Sequence, residues 1–578
     1  MATTRTATRN SRRRWGHEPQ VCLVARLRKW FLPRYPLCIV LVAHQGLMLW
    51  AAAANAQGYG GPSLPQTPAQ PGAQGPLQTQ TQPGTQTQPG AQGAYQGPPL
   101  AGSFSVLETL TNNVNLSPSD SRQGDLVTQL TPGFSVHERS AHTRLDGSVA
   151  IPILLYARTG SENNTVYGEV NLTGTLEAID KFFFIDAAVA VQQQYLTPLG
   201  AVPQGLTNAT QNRYTTQSYS VSPFVRGVAR GDVNYELRDN NYWTTLNNAP
   251  TGLSGAYTNE VVGRLVRNPT PWGWSVDYDA TRVKFTDQGP QDTQLARLSA
   301  LYQFEPQLQG SVDGGYEKNR YPLSNYQGAI YGVGGRWQPT DRTNITAGWE
   351  HRFFGASYYF TFDHRTPLSV WSINASRNIT SYPQQLATLS AGSSVISLLD
   401  QLLSATIPDP TQRLSYINQL IQNGGLPGIS SSPVNLYTQE ITLQESASAT
   451  VGLIGVRNRV FLSGFYLKSQ PISGSGTVLP GFFLTNNNTQ SGGDISWTHN
   501  LTAFTSLTTS VSYLRTVQNI TPNVTTNQGW VRAIVNTSIS DNTTVQFGAR
   551  YQVFRTDLSS NSNYTEAAVF AGLSYMYK

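Results

Sequence analysis

Six charged side chains fall on the polar faces of segments in which polar and apolar residues alternate: Arg336, Glu350, Arg352, Asp363, Arg532 and Arg550. Successive side chains of a β-strand point to opposite faces, so each segment would carry a charged wall and an apolar wall. Mixed charges that line a lumen set the field felt by a permeating solute. The same charges could instead pair across strands and only fill the interior, and both interpretations stay open.

Other chemistry has little support in the sequence. Five histidines follow residue 56, and none of them lies in a metal-ligand pattern such as HExxH, so neither a metal nor another cofactor is expected. Asp363 and His364 are adjacent and would point to opposite faces of a strand, which disfavours a catalytic dyad. No G-x-S-x-G elbow occurs among the many serines. We expect no enzyme, with a barrel hydrolase built from Ser, His and an acid as the alternative.

Four of the six charged positions belong to a stretch, 326–379, that reads as four β-strands joined by tight connections, and Arg532 and Arg550 belong to later strands with the same alternation. In the second strand of the 326–379 stretch, Ile345, Ala347 and Trp349 alternate with polar residues, and the third and fourth strands repeat the scheme. Such alternation over about ten residues per strand is typical of transmembrane β-barrels. Charged residues form only 12% of the chain, whereas a soluble enzyme would have about 25%. The predicted fold class is an all-β, antiparallel transmembrane β-barrel.

Connection lengths support the barrel, because long and short connections alternate as they do in outer-membrane barrels. The long polar gaps fall at roughly 195–214, 239–255, 286–291, 319–327, 470–488, 516–526 and 557–563. The short turns fall near 229–231, 268–271, 305–306, 339–343, 365–367, 456–458, 499–502 and 541–543. An exception is the connection at Gly355, which must turn tightly on the outer side, as glycine permits.

The strand number follows from a parity argument. About 21 segments can be counted from residue 126 onward, but a barrel with both ends in the periplasm needs an even number. The weakest segments are 126–137, which contains Pro132, and 166–178. Removing weak segments predicts roughly 18 strands, with 16 to 20 allowed.

Aromatic residues occupy the apolar faces of several segments, and we expect them in the aromatic girdles at the membrane interfaces. The tryptophans could alternatively stack on sugar rings. The final strand also resembles the terminal signal read by the barrel-assembly machinery, although Lys578 follows its last aromatic residue. The predicted interface residues are Trp272, Trp274, Trp337, Trp349, Trp371, Tyr575 and Tyr577.

The first 103 residues have a different composition. Residues 1–56 hold a basic start, an apolar run and Ala54-Asn55-Ala56, which predicts a signal peptide cleaved near Ala56, with a membrane anchor as the alternative. Residues 57–103 are rich in Gln, Pro and Gly, carry no charge, and are expected to form a disordered periplasmic linker or, alternatively, a proline-rich ligand. The barrel is then predicted over 104–578, in the outer membrane of a Gram-negative bacterium.

The charge and cysteine content limit the kinds of partner that can be expected. Residues 1–56 hold nine of the 39 basic residues, one of the 33 acidic residues and both cysteines, Cys22 and Cys38. The remainder is therefore close to neutral and has no disulfide, and nucleic acid is not an expected partner. The expected partners are outer-membrane lipid and the barrel-assembly machinery.

One segment, 384–430, interrupts the alternation. Its apolar residues recur at helical spacing, and Pro408 and Pro410 separate two short predicted helices. By the loop assignment this helical insert lies on the extracellular side. It could be a lid, a plug folded into the lumen, a docking surface or a self-packed cap over the rim.

Several motifs resemble the outer-membrane β-barrel family associated with the PEP-CTERM/exosortase system. The likeness covers roughly residues 120–578. Its motifs are FFIDA at 183–187 with QQQ at 192–194, SYSVSPF at 218–224, GRWQPT at 335–340, EHRFFG at 350–355, HRTP at 364–367, and IPDP at 407–410 with Arg413. The resemblance implies a role alongside exopolysaccharide synthesis and export.

These observations favour a channel or accessory pore linked to exopolysaccharide export or to surface display of PEP-CTERM proteins and polysaccharide. Exopolysaccharide or its export proteins are then possible partners. A closed barrel that acts as a structural or docking protein is the alternative from another class, and an outer-membrane hydrolase is a third.

Overall fold

The computed structural model describes residues 100–229, 232–248, 254–286, 289–381, 433–434, 440–472, 487–519, 523–558 and 562–577. The predicted signal peptide, the helical insert at 384–430, Lys578 and all but the last few residues of the predicted linker lie outside the described residues.

The described chain is almost entirely β-structure, and its strands form one antiparallel sheet. A short 3-10 turn (Ser119–Ser121) and a one-turn helix α1 (Gly160–Asn163) interrupt it. Among the described residues, no helix is long and apolar enough to span a membrane. The strands are β1 (Leu100–Thr111), β2 (Asp125–Arg139), β3 (Thr143–Ala150), β4 (Ile153–Tyr156), β5 (Thr165–Val166), β6 (Glu169–Ile179), β7 (Phe183–Tyr195), β8 (Arg213–Ala229), β9 (Val233–Asn247), β10 (Ala256–Arg267), β11 (Trp272–Phe285), β12 (Gln291–Glu305), β13 (Leu308–Arg320), β14 (Asn325–Thr340), β15 (Thr343–Arg352), β16 (Gly355–Arg365), β17 (Ser369–Thr380), β18 (Thr442–Ile454), β19 (Asn458–Pro471), β20 (Asn488–Asn500), β21 (Thr505–Gln518), β22 (Val524–Ser540), β23 (Thr543–Thr556) and β24 (Tyr564–Tyr577).

The sheet closes on itself, because β24 pairs with β1 as well as with β23. β3 and β4 both pair with β2 in one continuous register, so they are two halves of a single wall strand interrupted at Pro152. β5 and β6 are likewise two halves of the next wall strand, since they pair with β4 and β3 in turn. The wall of the barrel therefore has 22 strands.

The predicted number of roughly 18 strands is wrong, and the cause is specific. Segments 126–137 and 166–178 both belong to the wall, as β2 and as β5 with β6. Pro132 is tolerated in β2 because it lies opposite Ile151, where the neighbouring strand breaks; the Ile151 N–H still donates to the Pro132 carbonyl at 3.0 Å. The count of about 21 segments was odd because it began at residue 126 and so left out β1. This strand begins at Leu100, inside the predicted linker.

The connections confirm the predicted alternation of long and short. The two ends of the described barrel meet where Gly102 pairs with Tyr577, and the short turns, such as 140–142, 341–342 and 541–542, lie at that same end, called here the short-turn end. Long connections such as 112–124 and 196–212 lie at the opposite, long-loop end. The expected gap 239–255 is shorter than predicted, because β9 continues to Asn247.

The tight connection predicted at Gly355 is present at the long-loop end. Only residues 353–354 join β15 to β16, and Gly355 has a φ of +92°. This left-handed region of backbone space favours glycine because a Cβ there would crowd the residue's own neighbouring backbone carbonyl.

The two faces of the sheet differ in polarity. Outward side chains such as Leu298, Val312 and Phe547 are more than half exposed (59%, 63% and 57%). Inward side chains on the same strands, such as Arg297 and Glu317, are buried. An apolar outer surface around a polar interior is the pattern of a barrel surrounded by lipid.

Candidate permeation pathway

All six charged residues predicted to line the lumen lie on inward positions of their strands. Their sequence neighbours on the same strands, such as Trp349, Val531 and Tyr551, are exposed on the outer face. The six fall at three heights. Glu350 and Arg352 lie near the long-loop end, Arg532 and Arg550 at mid-height, and Arg336 and Asp363 towards the short-turn end.

Glu350 is paired with an arginine that the sequence did not single out. The Arg297 Nη2 donates to Glu350 at 2.8 Å, and both side chains are buried. Arg297 lies on β12 and Glu350 on β15, with β13 and β14 between them. The pair therefore spans a curved section of the inner wall, where long side chains on non-adjacent strands can meet.

Arg352 is the centre of a larger network. Its Nε and Nη2 donate to one carboxylate oxygen of Glu317, at 3.1 and 2.7 Å, and its Nη1 donates to Asn378 Oδ1 at 2.7 Å. The other Glu317 oxygen accepts the Phe353 backbone N–H at 2.9 Å. Glu317 is fully buried, so its charge is balanced almost entirely by these donors. The network ties the tight connection after β15 to the inner wall.

Burial also affects a tyrosine beside this network, in the connection after β13. It raises the pKa of Tyr321, and the nearby charge of Arg352 opposes that rise. The phenol is therefore neutral and adds no charge near Glu317.

Arg336 and Asp363 make weaker contacts. The Arg336 Nε donates to Asn344 Oδ1 at 3.2 Å, and Asp363 accepts the Ser372 hydroxyl at 2.9 Å. Neither residue forms an ion pair with any residue that the structure describes. Arg532 also lacks an ion pair with any described residue, and its guanidinium lies over the Phe570 ring, 5.2 Å from the centroid. The charges of Arg336 and Asp363 near the short-turn end, and of Arg532 at mid-height, are therefore left to act on a solute.

The connection between β7 and β8, residues 196–212, folds into the barrel and is called here the inner loop. Its Asn208 is fully buried and accepts a hydrogen bond from Arg550 Nη2 at 2.9 Å, while its amide donates to Glu566 at 3.2 Å. Arg550 also contacts Thr207 at 3.0 Å and pairs with Glu566 at 3.0 Å. Arg550 and Glu566 lie on β23 and β24, so the loop reaches strands far from its own.

Two inward glutamines hold backbone segments in the lumen, because each side-chain amide accepts a backbone N–H and donates to a backbone carbonyl. The Gln528 amide accepts the Val202 N–H and donates to the Gly200 carbonyl, both at 3.1 Å. Gln490 accepts the Val434 N–H at 2.7 Å and donates to its carbonyl at 3.0 Å. Val434 belongs to the connection that carries the predicted insert, so part of that connection enters the lumen too.

Apolar contacts hold the inner loop at four points, and the first is Leu196 against Tyr214, Val283 and Phe285. Ala201 packs against Leu116, Phe554 and Tyr564, while Val202 and Leu206 join two other clusters. The residues of those two clusters lie at separate sections of the barrel. Val202 meets Val434, Phe465, Leu514 and Trp530, and Leu206 meets Val114, Val127, Leu154 and Tyr156.

Sequence reasoning missed several of these residues for different reasons. Arg297, Glu317 and Glu566 lie on inward positions of alternating strands, so a strand-by-strand assignment of faces could have found them. Asn208 carries no such signal. Only the length of its gap marked the inner loop, and gap length does not tell in which direction a loop folds.

The seven predicted interface aromatics lie on the outer face. Six of them are near the short-turn end, where Trp272 and Tyr577 are 67% and 69% exposed, while Trp349 is towards the long-loop end. This arrangement matches an aromatic girdle. It also removes these tryptophans from the lumen, whereas Trp530, on β22, points inward and is buried.

The predicted absence of an Asp363–His364 dyad holds in the structure, although another described histidine does contact a carboxylate. Asp363 lies inward, whereas His364 points outward and its Nδ1 contacts Thr343 Oγ1 at 2.8 Å, as the alternation predicted. His137 pairs with Asp146 at 3.3 Å. Within the described residues no group of three or more His, Cys, Asp or Glu is placed to hold a metal ion. That the chain is not an enzyme stays a prediction.

Strand pairing, outer apolarity and interior charge together define a large β-barrel of the membrane type with a loop folded inside it. No protein-family model and no curated protein matches the sequence. Among solved structures, the siderophore receptor PirA from Pseudomonas aeruginosa matches at 6% identity and a TM-score of 0.40, covering 83% of this chain and 80% of that one.

The FrpB iron transporter from Neisseria meningitidis matches at 9% identity and a TM-score of 0.45, covering 82% of each chain. OccK2 from Pseudomonas aeruginosa matches at 8% identity and a TM-score of 0.32, covering 82% of this chain and 98% of that one. Such low values support no functional argument. The assignment depends on the strand pairing of this chain.

Proposed function

We propose that the protein is an outer-membrane channel whose pathway is narrowed by the inner loop. The apolar outer face and aromatic girdle support a place in the outer membrane, where β-barrels of this kind occur. A barrel of this size can enclose an aqueous lumen unless something fills it. The inward charges and the inner loop would then decide which solutes pass.

The observation that carries this proposal is the position of Tyr195 and Arg213. These residues end β7 and begin β8, and they are direct cross-strand partners. A two-residue turn could join them, so the inner loop is not needed to close the hairpin. Its buried contacts with β22, β23 and β24 therefore act on the lumen.

Single-channel recording in a planar bilayer tests the proposal. In the test variant an Asn-Gly turn replaces residues 196–212, and we expect a larger and steadier conductance than in the wild type. The matched control is R264Q/D277N, which removes an inward ion pair (2.7 Å) that does not contact the loop. Unchanged conductance after loop replacement would refute a constricting role for the loop.

The link to exopolysaccharide export or to PEP-CTERM surface display is the finer part of the proposal, and its support is the motif resemblance. Two of those motifs meet in space, because Phe184 and Phe224 stack with ring centroids 5.1 Å apart. A chromosomal deletion of this chain in its own organism should lower surface exopolysaccharide, and complementation should restore it. A wild-type amount of surface exopolysaccharide in the deletion strain would contradict this role.

Burial of inward side chains favours a second candidate, a closed barrel that acts as a structural or docking protein. Gln291, Ser299 and Glu317 are almost inaccessible to solvent. Absence of conductance in both the wild type and the loop-replacement variant would support this candidate. Residues 57–103 could then reach a periplasmic partner, and a pull-down with that segment that returns nothing above background would count against docking.

A further inference from the structure

A basic cluster lies on the outer face of the barrel near the long-loop end. Its members are Arg282 and Lys284 on β11 and Lys318 and Arg320 on β13, all of them exposed. They alternate with inward residues such as Val283 and Asn319, which are buried. The cluster therefore faces the surroundings of the barrel and not its lumen.

Strand register brings these cations together. Arg282 pairs with Asp292, and Asp292 pairs with Arg320, so the three residues form one row across β11, β12 and β13. In the next row towards the membrane, Gln294 pairs with Lys318. A cavity of about 320 Å³ lies at these rows, and its lining includes Arg282, Asp292, Gln294, Lys318 and Arg320.

The cluster keeps a net positive charge. Asp292 is its one carboxylate among the residues that the structure describes, and it accepts two hydrogen bonds from Arg282, at 2.6 and 3.1 Å. Neither Lys318 nor Arg320 pairs with any residue in the described part of the chain. Lys318 and Arg320 can therefore each bind an anion without first breaking a salt bridge to a described residue.

The height of the cluster matches a membrane surface. Trp272 marks the aromatic girdle at the short-turn end of β11, and Arg282 follows about ten residues later on the same face. At about 3.4 Å per residue and a tilt of about 40°, that distance spans about 26 Å along the barrel axis, close to the apolar band of about 25 Å in such barrels. Arg282 therefore lies at the level of lipid headgroups.

Apolar rows continue directly below the cations. Tyr278 and Tyr316 lie on the same outer face, one row below Lys318, and Leu298 lies in the row after them. All three are largely exposed. A ligand with a phosphate at the level of Arg320 and acyl chains below would find both kinds of surface, whereas a free anion would use only the first.

We propose that this outer cluster binds the phosphate group of a phosphorylated lipid in the leaflet at the long-loop end. Arg320 and Arg282 offer planar guanidinium groups suited to phosphate oxygens, and Lys318 adds a point charge. Asp292 orients Arg282 and keeps phosphate towards Arg320 and Lys318. This inference is independent of whether the barrel conducts.

The test uses the full protein in nanodiscs, with lipid A as the phosphorylated probe and the same lipid after phosphate removal as its partner probe. Bound lipid per protein is measured by native mass spectrometry. The test variant is K318Q/R320Q, which leaves the Arg282–Asp292 pair intact. The control is K468Q/R515Q, which removes two outward cations near the same end but on β19 and β21, away from the cluster.

We expect wild type and control to retain lipid A and the test variant to bind it about 30-fold more weakly. Equal retention in the test variant and the control would overturn the site. Equal retention of dephosphorylated lipid by the wild type would overturn phosphate recognition, whatever the variants do. Displacement of lipid A by millimolar inorganic phosphate alone would assign the site to a free anion and overturn the lipid proposal.

Discussion

Arg550 and Glu566 form a buried ion pair of 3.0 Å between β23 and β24, and both residues also bind Asn208 of the inner loop. Thr111 on β1 donates a further hydrogen bond to Glu566, at 2.8 Å. One carboxylate thus joins the seam where the barrel closes to the loop that crosses its interior. Stability and gating should therefore change together at this point.

Glu566→Gln removes the charge that Arg550 and the inner loop share. Loss of one partner of a buried pair costs about 3 to 5 kcal/mol, so we expect a lower urea midpoint for unfolding in detergent. We also expect brief, larger openings in single-channel records, because the loop is less firmly held. Arg282→Gln, which breaks an exposed pair on the outer face, should change the midpoint much less; equal effects would contradict the role of burial.

Arg352 and Arg336 were both predicted to line the lumen, but their surroundings differ. Arg352→Gln would leave Glu317 fully buried without a counter-charge, and we expect a loss of about 3 kcal/mol or more in the free energy of unfolding. Arg336→Gln loses only a hydrogen bond to Asn344, and a loss of about 1 kcal/mol is expected. Urea titration of both variants compares them.

The same two variants also separate structure from selectivity. Arg336 has no carboxylate partner among the described residues, so its charge is expected to act on permeating ions. Under a KCl gradient Arg336→Gln should shift the reversal potential towards the equilibrium potential of the cation. An unchanged potential would remove Arg336 from the pathway.

Gly355 and Gly314 isolate the effect of backbone conformation. A Cβ at either position would meet no atom within 4 Å apart from the adjacent residues of the chain, but of the two only Gly355 has a positive φ, of +92°. Gly355→Ala should therefore cost about 1 to 2 kcal/mol, whereas Gly314→Ala should be neutral or slightly stabilising. Urea unfolding of both variants is the measurement, and equal midpoints would contradict the conformational argument.

The predicted helical insert can be tested separately from the inner loop. Val434, just after the insert, is held in the lumen by Gln490. We expect that replacing residues 384–430 by a short Gly/Ser loop will convert rare openings into steady conductance in a planar bilayer. Identical records from the intact protein and this variant would leave the insert as a cap without a gating role.

The alternation of side chains predicted much of the architecture. It assigned the inward faces of Glu350, Arg352 and Asp363 and the outward face of Trp349 correctly, because a strand admits only two directions for its side chains. It failed on the strand count at Pro132 and at β1. Pro132 lacks a ladder donor, yet its neighbour breaks at the same level, and β1 directly follows a Gln/Pro-rich segment that conceals where the strand begins.

The sequence by itself determined the β-class, the two faces of the sheet, the aromatic girdle and the alternation of long and short connections, since all of these follow from residue type and local spacing. Only the tertiary structure decided that the inner loop turns into the barrel and that Asn208 meets Arg550 and Glu566. Those partners lie more than 300 residues away along the chain. They meet because closure of the sheet places β24 beside β1, and no local pattern encodes that distance.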